Sequence, residues 1–203
     1  MKARQVHPGA GHQGGQAGQK IQGLDHHLRL DAALFYNKYK DIQGGLGPSC
    51  PQFTYGIAAL PCTVTANIGD ADVKGAELEA QFHPIGGLSI DGSASYIQFK
   101  YTEFNPNTGL NPATTLPAGI IPHKYSAGIQ YEEPLGSIGS VTPRLDWSYE
   151  GGYYTQPTPG LGDFLPGYQI LNLRLSWKGA KDKWEAALAV TNLADKLYAH
   201  PRR

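Results

Sequence analysis

The sequence predicts an all-β chain: an antiparallel up-and-down meander of about seven strands, forming part of a transmembrane β-barrel. Three observations predict it. Apolar and polar residues alternate over lengths that could cross a membrane as strands. The connections between those stretches alternate long and short. The 203 residues are rich in turn formers and tyrosine, with 26 Gly, 15 Pro and 12 Tyr, and only 17% are charged. That composition suits strands and turns rather than helices. No run of about 18 apolar residues exists, so no transmembrane helix is expected. Mean hydropathy is mildly negative at −0.36, as expected of barrel strands that are apolar on one face only. The formal net charge is zero. No basic tract points to nucleic acid and no acidic tract to a solvating tail.

Residues 1–23 hold His, Gly, Gln and Lys without an apolar core. They read as an unstructured or non-native N-terminal segment with no signal peptide. Gly9, Gly11 and Gly14 spell Gly-x-Gly-x-x-Gly, but the strand before and the helix after are missing, so no nucleotide site is expected. His7, His12, His26 and His27 read as solvated filler rather than a metal tract.

Strands begin at residue 28. The first covers 28–42, with Leu28, Leu30, Ala32, Leu34 and Tyr36 on one face. The second covers 66–82, where Ala76, Leu78, Ala80 and Phe82 oppose Glu77, Glu79 and Gln81. The third covers 88–104 and starts with Leu88, Ile90, Ala94 and Tyr96 against Ser89, Asp91, Ser93 and Ser95. Its phase then changes, since Ile97, Phe99 and Tyr101 are odd-numbered; a bulge near Tyr96–Ile97 would explain this. The fourth covers 123–133, with Tyr125, Ala127, Ile129 and Tyr131 on its apolar face. The fifth alternates Val141, Pro143, Leu145, Trp147 and Tyr149 with Thr142, Arg144, Asp146, Ser148 and Glu150. The sixth alternates Leu171, Leu173, Leu175 and Trp177 with Asn172, Arg174, Ser176 and Lys178. The seventh sets Trp184, Ala186, Leu188 and Val190 against Glu185, Ala187, Ala189 and Thr191. Period two sends alternate side chains to opposite faces. One face is greasy, the other charged, as in a wall with lipid outside and water inside.

The connections 43–65, 105–122 and 155–166 are long; 83–87, 134–140 and 179–182 are short. In a meander, alternate connections share a side, so the long loops lie together, as on the outer side of an outer-membrane barrel. Phe82, Tyr131 and Trp184 fall toward the short turns. Tyr36, Tyr39, Tyr101, Tyr153, Tyr154 and Tyr168 fall toward the long loops, which suits two interfacial girdles.

Three stretches resemble a known family. Asn67 leads to Gly75, Glu77 and Glu79 in a Gly-x-Glu-x-Glu strand. Phe82-His-Pro84 and Gly87-Leu88-Ser-Ile90 make a short turn and strand start. Asn192, Leu193, Asp195, Lys196 and Tyr198 form an Asn-Leu-x-Asp-Lys-x-Tyr segment. In order and spacing they resemble the C-terminal part of the barrel of TonB-dependent outer-membrane receptors, from residue 24 to residue 203. That resemblance implies a barrel of about 22 strands around a plug. It also implies energised uptake of a scarce nutrient such as a ferric siderophore, in the cell outer membrane. The implied partners are outer-membrane lipid, the small-molecule ligand, and an energy-transducing periplasmic protein acting through the parent's plug, which is not expected within these residues. The final barrel strand is not expected within these residues either, so the chain is expected to be a fragment of a parent receptor.

Cys50 and Cys62 share the first long loop and suggest a disulfide, worth about 3 kcal/mol in a chain-entropy picture. Arg144, Asp146, Glu150, Arg174 and Glu185 are the candidate lumen-facing charges, for a plug, a solute or one another. No catalytic or metal constellation appears, so neither an enzyme nor a cofactor is expected. Seven strands leave two open edges, and unpaired edge groups in hydrocarbon cost several kcal/mol each. This polypeptide alone is therefore not expected to form a working pore. Two rivals remain at this point: a small passive porin or adhesion barrel, and a soluble β-sandwich binding module.

Overall fold

Eight strands lie side by side in chain order. They are β1 (His12–Gly23), β2 (Leu28–Leu46), β3 (Val64–Phe82), β4 (Leu88–Phe104), β5 (His123–Tyr131), β7 (Ser140–Glu150), β10 (Tyr168–Lys178) and β11 (Glu185–Val190). The short β6 (Glu133–Pro134) adds to β7, and β8 (Tyr153–Tyr154) pairs with β9 (Phe164–Leu165) as a separate hairpin. The computed structural model describes residues 12–23, 27–46, 64–158, 160–180 and 183–198. Cys50, Cys62, Gly9, Gly11, His7 and His26 lie outside them. Every neighbouring pair in the main sheet is antiparallel. Among the described residues, β1 pairs only with β2 and β11 only with β10. They form one open wall, not a small closed barrel.

The wall has one strand more than the sequence predicts. Residues 12–23, read as unstructured, form β1, paired with β2 from His12↔Tyr39 to Gly23↔Leu28. The reason is physical. A strand ladder is made by the main chain, and β1 needs no apolar side chains to complete it. Its apolar face carries Ile21 opposite Leu30 and Ala17 opposite Leu34, but Gln19 and Gly15 interrupt the alternation. Gly14 in this strand is extended wall, not part of a phosphate loop.

Directly opposed residues share a face, so the register can be followed across the sheet. Leu34 stands beside Ala76, Ala76 beside Tyr96, and Tyr96 beside His123. Ile129 stands beside Ile90 and Leu145, and Leu173 beside Leu145 and Val190. One apolar surface therefore runs unbroken from β2 to β11. Among the described residues no second layer covers it: Leu34 is 64% and Leu188 70% exposed, and only Ala71, Val73 and Phe104 are buried apolar residues. A water-soluble sandwich buries such a face between two sheets; this chain leaves it open.

The expected bulge near Tyr96–Ile97 is absent. Pairing between β3 and β4 continues in step from Phe82↔Ile90 to Ala71↔Tyr101, and the irregularity falls between Asp70 and Ala71. Ile97, Phe99 and Tyr101 thus lie on the polar face of the lower wall. The chemistry of the two faces exchanges instead. Toward the long loops, the formerly polar face carries Phe35, Val73 and Phe99, and the formerly apolar one carries Lys38, Asp72 and Lys100.

Candidate functional site

In the lower wall the polar face holds most of the charged side chains. At its centre Arg144 of β7 spans three strands. Its Nη1 and Nη2 donate to the two Asp91 carboxylate oxygens on β4 at 2.9 and 3.1 Å. Its Nε donates to Asp146 at 2.9 and 3.0 Å, and Nη1 also donates to the Gln130 side-chain oxygen at 3.1 Å. Gly128 makes this possible. It lies on β5 between Asp91 and Asp146, and a Cβ there would sit 2.4 Å from Arg144 Nη2. The missing side chain is the space the guanidinium fills.

The other predicted charges share this face but do not all join that cluster. Glu150 accepts from the Tyr168 hydroxyl at 3.0 Å and pairs with Lys124 at 3.3 Å. Arg174 stands directly opposite Arg144 and donates to Ser176 Oγ at 3.0 Å. Glu185 lies at the short-turn end, opposite Lys178. Glu77 and Glu79 project from β3 opposite Ser95 and Ser93 and carry no ion pair among the described residues. Asp91, Gly128, Lys124 and Tyr168 belong to these networks, and sequence reasoning did not single them out as site residues. The pattern places each on its face, but only the three-strand register says which ones meet.

The motif residues take three different jobs. Asn67 pairs with Gln43 near the long-loop end of β3. Gly75 lies under the Phe35 ring, and a Cβ there would come 2.4 Å from that ring and 2.3 Å from the Tyr96 carbonyl oxygen. Asn192 forms a turn beyond β11. Its side chain accepts from the Lys196 amide at 2.9 Å and donates to the Lys196 carbonyl at 3.1 Å. Asn192 and Asp195 both adopt positive φ, 53° and 47°, a conformation Asn and Asp tolerate better than most. Leu193 returns the chain to β10 by donating its amide to the Leu171 carbonyl at 2.7 Å. Tyr198 then stacks on Tyr168, with ring centroids 4.6 Å apart.

The upper girdle differs from the expected one. Tyr39, Tyr101 and Tyr168 lie on the polar-face side, and Tyr153 and Tyr154 belong to the hairpin above the wall. The belt on the apolar face is Tyr36, Tyr96, His123, Tyr125 and Tyr149. Tyr96 stacks on His123 at 5.1 Å and Tyr125 on Tyr149 at 5.9 Å. Two long loops meet above it. The Leu116 amide donates to the Pro157 carbonyl at 2.8 Å, the Gly119 amide donates to the Tyr154 carbonyl at 2.7 Å, and Ala118 bridges Tyr154.

Comparison with known proteins gives this wall its context. Residues 17–193 match the family described as TonB dependent receptor-like, beta-barrel. The pesticin receptor of Yersinia enterocolitica is 30% identical over 173 residues, covering 84% of this chain and 23% of that receptor. The ferrioxamine B receptor of Salmonella typhimurium is 26% identical over 139 residues, 65% of this chain and 18% of that one. The chain thus spans less than a quarter of the curated relatives it matches. The crystal structure of the ferric yersiniabactin uptake receptor FyuA from Yersinia pestis superposes with a TM-score of 0.69 at 21% identity, covering 92% of this chain and 25% of that one. Such a family is one of receptors and transporters rather than enzymes, and its barrels belong to the outer membrane. The chain belongs to the TonB-dependent receptor family and supplies part of its β-barrel.

Proposed function

We propose that this chain is barrel wall of a receptor that takes up a scarce solute of the ferric-siderophore class across the outer membrane. An energy-transducing periplasmic protein would drive it through a plug domain. The observation that carries the reading is the two-faced wall: an uncovered apolar surface with an aromatic belt outside, and the Arg144–Asp91–Asp146 network inside. Related proteins bearing receptor names for pesticin, ferrioxamine B and ferric yersiniabactin support the solute class. Loops 105–122 and 155–166, which clasp one another, and loop 43–65 are the proposed solute contacts. The lumen-facing set is Arg144, Asp146, Glu150, Arg174 and Glu185. A Cys50–Cys62 bridge is proposed for loop 43–65, and thiol titration of the unfolded, unreduced chain should find no free thiol. The test of function replaces the matching stretch of the Yersinia enterocolitica pesticin receptor with residues 24–193. The chimaera should reach the cell surface and support energised uptake of a ferric siderophore. Normal surface display with no energised uptake of any ferric siderophore overturns the reading.

A further inference from the structure

The two clasped loops are almost free of charge. Residues 105–122 contain no Asp, Glu, Lys, Arg or His, and residues 155–166 contain one, Asp163. At the chain's 17% charged content, thirty such residues would hold about five. Charged side chains belong mostly to surfaces, and loops run over surfaces, so this depletion reverses the ordinary trend. In the sequence, residues 43–65 are equally without charge. Apolar side chains stand instead: Leu161 is fully exposed and Phe164 is 50% exposed. The one carboxylate serves its own turn, accepting from the Gly160 amide at 2.7 Å.

The wall beneath the loops offers no surplus charge to compensate. On β2–β4 the inward side chains at this end are Phe35, Val73, Phe99 and Tyr101. Phe99 meets Tyr101 edge-on at 5.0 Å, and Tyr101 meets Phe104 at 4.6 Å. Lys124 of β5 is paired with Glu150 of β7 at 3.3 Å. Lys196 lines a cavity beside residues 165–168 and is the single charged side chain there. With Asp163 these make two charges of each sign. At the tops of β2, β3 and β4, residues 38–41, 70–74 and 100–103 set four lysines against four carboxylates. Among the described residues, the long-loop end is therefore neutral, and its loops are apolar or amide-like.

A ferric ion held by three singly charged bidentate groups carries no net charge. Held by three doubly charged ones, it is a trianion. A trianion brought against uncharged, apolar loops loses hydration that no protein cation replaces. A neutral chelate loses little hydration and buries its hydrocarbon arms against Leu, Ile, Pro and aromatic side chains.

We propose that the clasped loops select a ferric chelate of zero net charge, of the trihydroxamate type, and discriminate against trianionic tricatecholates. The proposal rests on the uptake-receptor reading and narrows its solute. The test uses the pesticin receptor chimaera carrying residues 24–193, displayed in a host without other ferric-siderophore receptors. Half-saturating concentrations for energised iron uptake are compared for two chelates of similar size, a neutral ferric trihydroxamate and a trianionic ferric tricatecholate. The neutral chelate should be favoured at least about tenfold. Ala113→Lys with Leu161→Lys puts two cations on exposed loop positions and should shrink that preference at least about threefold. The same charges at the opposite rim, Ile85→Lys with Ile138→Lys, should leave it unchanged. Uptake favouring the trianion overturns the proposal, as does a preference that the loop lysines fail to move; both outcomes leave the receptor reading standing. Uptake of neither chelate also overturns it, and if every other ferric siderophore fails too, the receptor reading falls with it.

Discussion

Gly128→Ala is the sharpest probe of the inner network. A Cβ at this position meets Arg144 Nη2 at 2.4 Å, Asp91 Oδ2 at 2.8 Å and Asp146 Oδ1 at 3.0 Å. The guanidinium must move, and the two-bond contact with Asp91 goes first. Each charge-assisted hydrogen bond is worth about 1.5–3 kcal/mol when shielded. The Arg144 and Asp91 side chains are 26% and 36% exposed, so screening reduces the two together to about 2 kcal/mol. Alanine recovers about 0.5–1 kcal/mol over glycine within a strand. The expected net loss is therefore about 1–1.5 kcal/mol. The assay is urea unfolding of the micelle-bound chain, followed by tryptophan fluorescence and extrapolated linearly to water. In an Arg144→Ala background the crowding group is gone and both carboxylates can swing aside. There Gly128→Ala should be neutral, or stabilising by about 0.5 kcal/mol. An equal loss in both backgrounds would show that the glycine serves the backbone rather than the guanidinium, and would refute the reasoning.

Four further outcomes are expected. Leu173→Lys on the outward face should cost about 2–4 kcal/mol of folding stability in bilayers, whereas Ser95→Lys, inward and opposite Glu77, should change it by under about 0.5 kcal/mol; equal effects would mean the faces are misassigned. Gly75→Ala should cost about 1–3 kcal/mol by urea unfolding, and Phe35→Ala should relieve only part of that, because the Tyr96 carbonyl is main chain and cannot step aside. Asn192→Ala removes both Lys196 hydrogen bonds and places a less tolerant residue at φ 53°, for an expected loss of about 1–2 kcal/mol in the same assay. The purified chain alone should give no stable monomeric conductance in liposomes, because β1 and β11 each leave one edge unpaired among the described residues and each such group costs several kcal/mol in hydrocarbon.

What the sequence makes legible follows from what side chains report. Leu171, Leu173, Leu175 and Trp177 announce β10 because from Leu171 onward each outward position is apolar and each inward one polar. β1 is silent because its Gly and Gln residues satisfy a ladder without advertising a face. The misplaced bulge has the same origin. A change of phase at Ile97 looks identical whether the strand kinks or its surroundings change, and here the surroundings change as the strands rise above the apolar band. The Arg144–Asp91 contact joins residues 53 positions apart. Alternation assigns both to one face, but their meeting depends on two intervening registers and on a glycine that carries no chemical label of its own.

The clasp between loops 105–122 and 155–166 has a mechanical consequence. Joined by the Leu116–Pro157 and Gly119–Tyr154 main-chain bonds, the two segments swing as one arm rather than as separate tethers. A visitor that presses on Pro157 displaces Leu116 as well, so contact on one side of the vestibule is transmitted to the root of the neighbouring strand. The freedom that a solute of the proposed kind would take from these loops would be correspondingly smaller, since much of it was given up when they first joined.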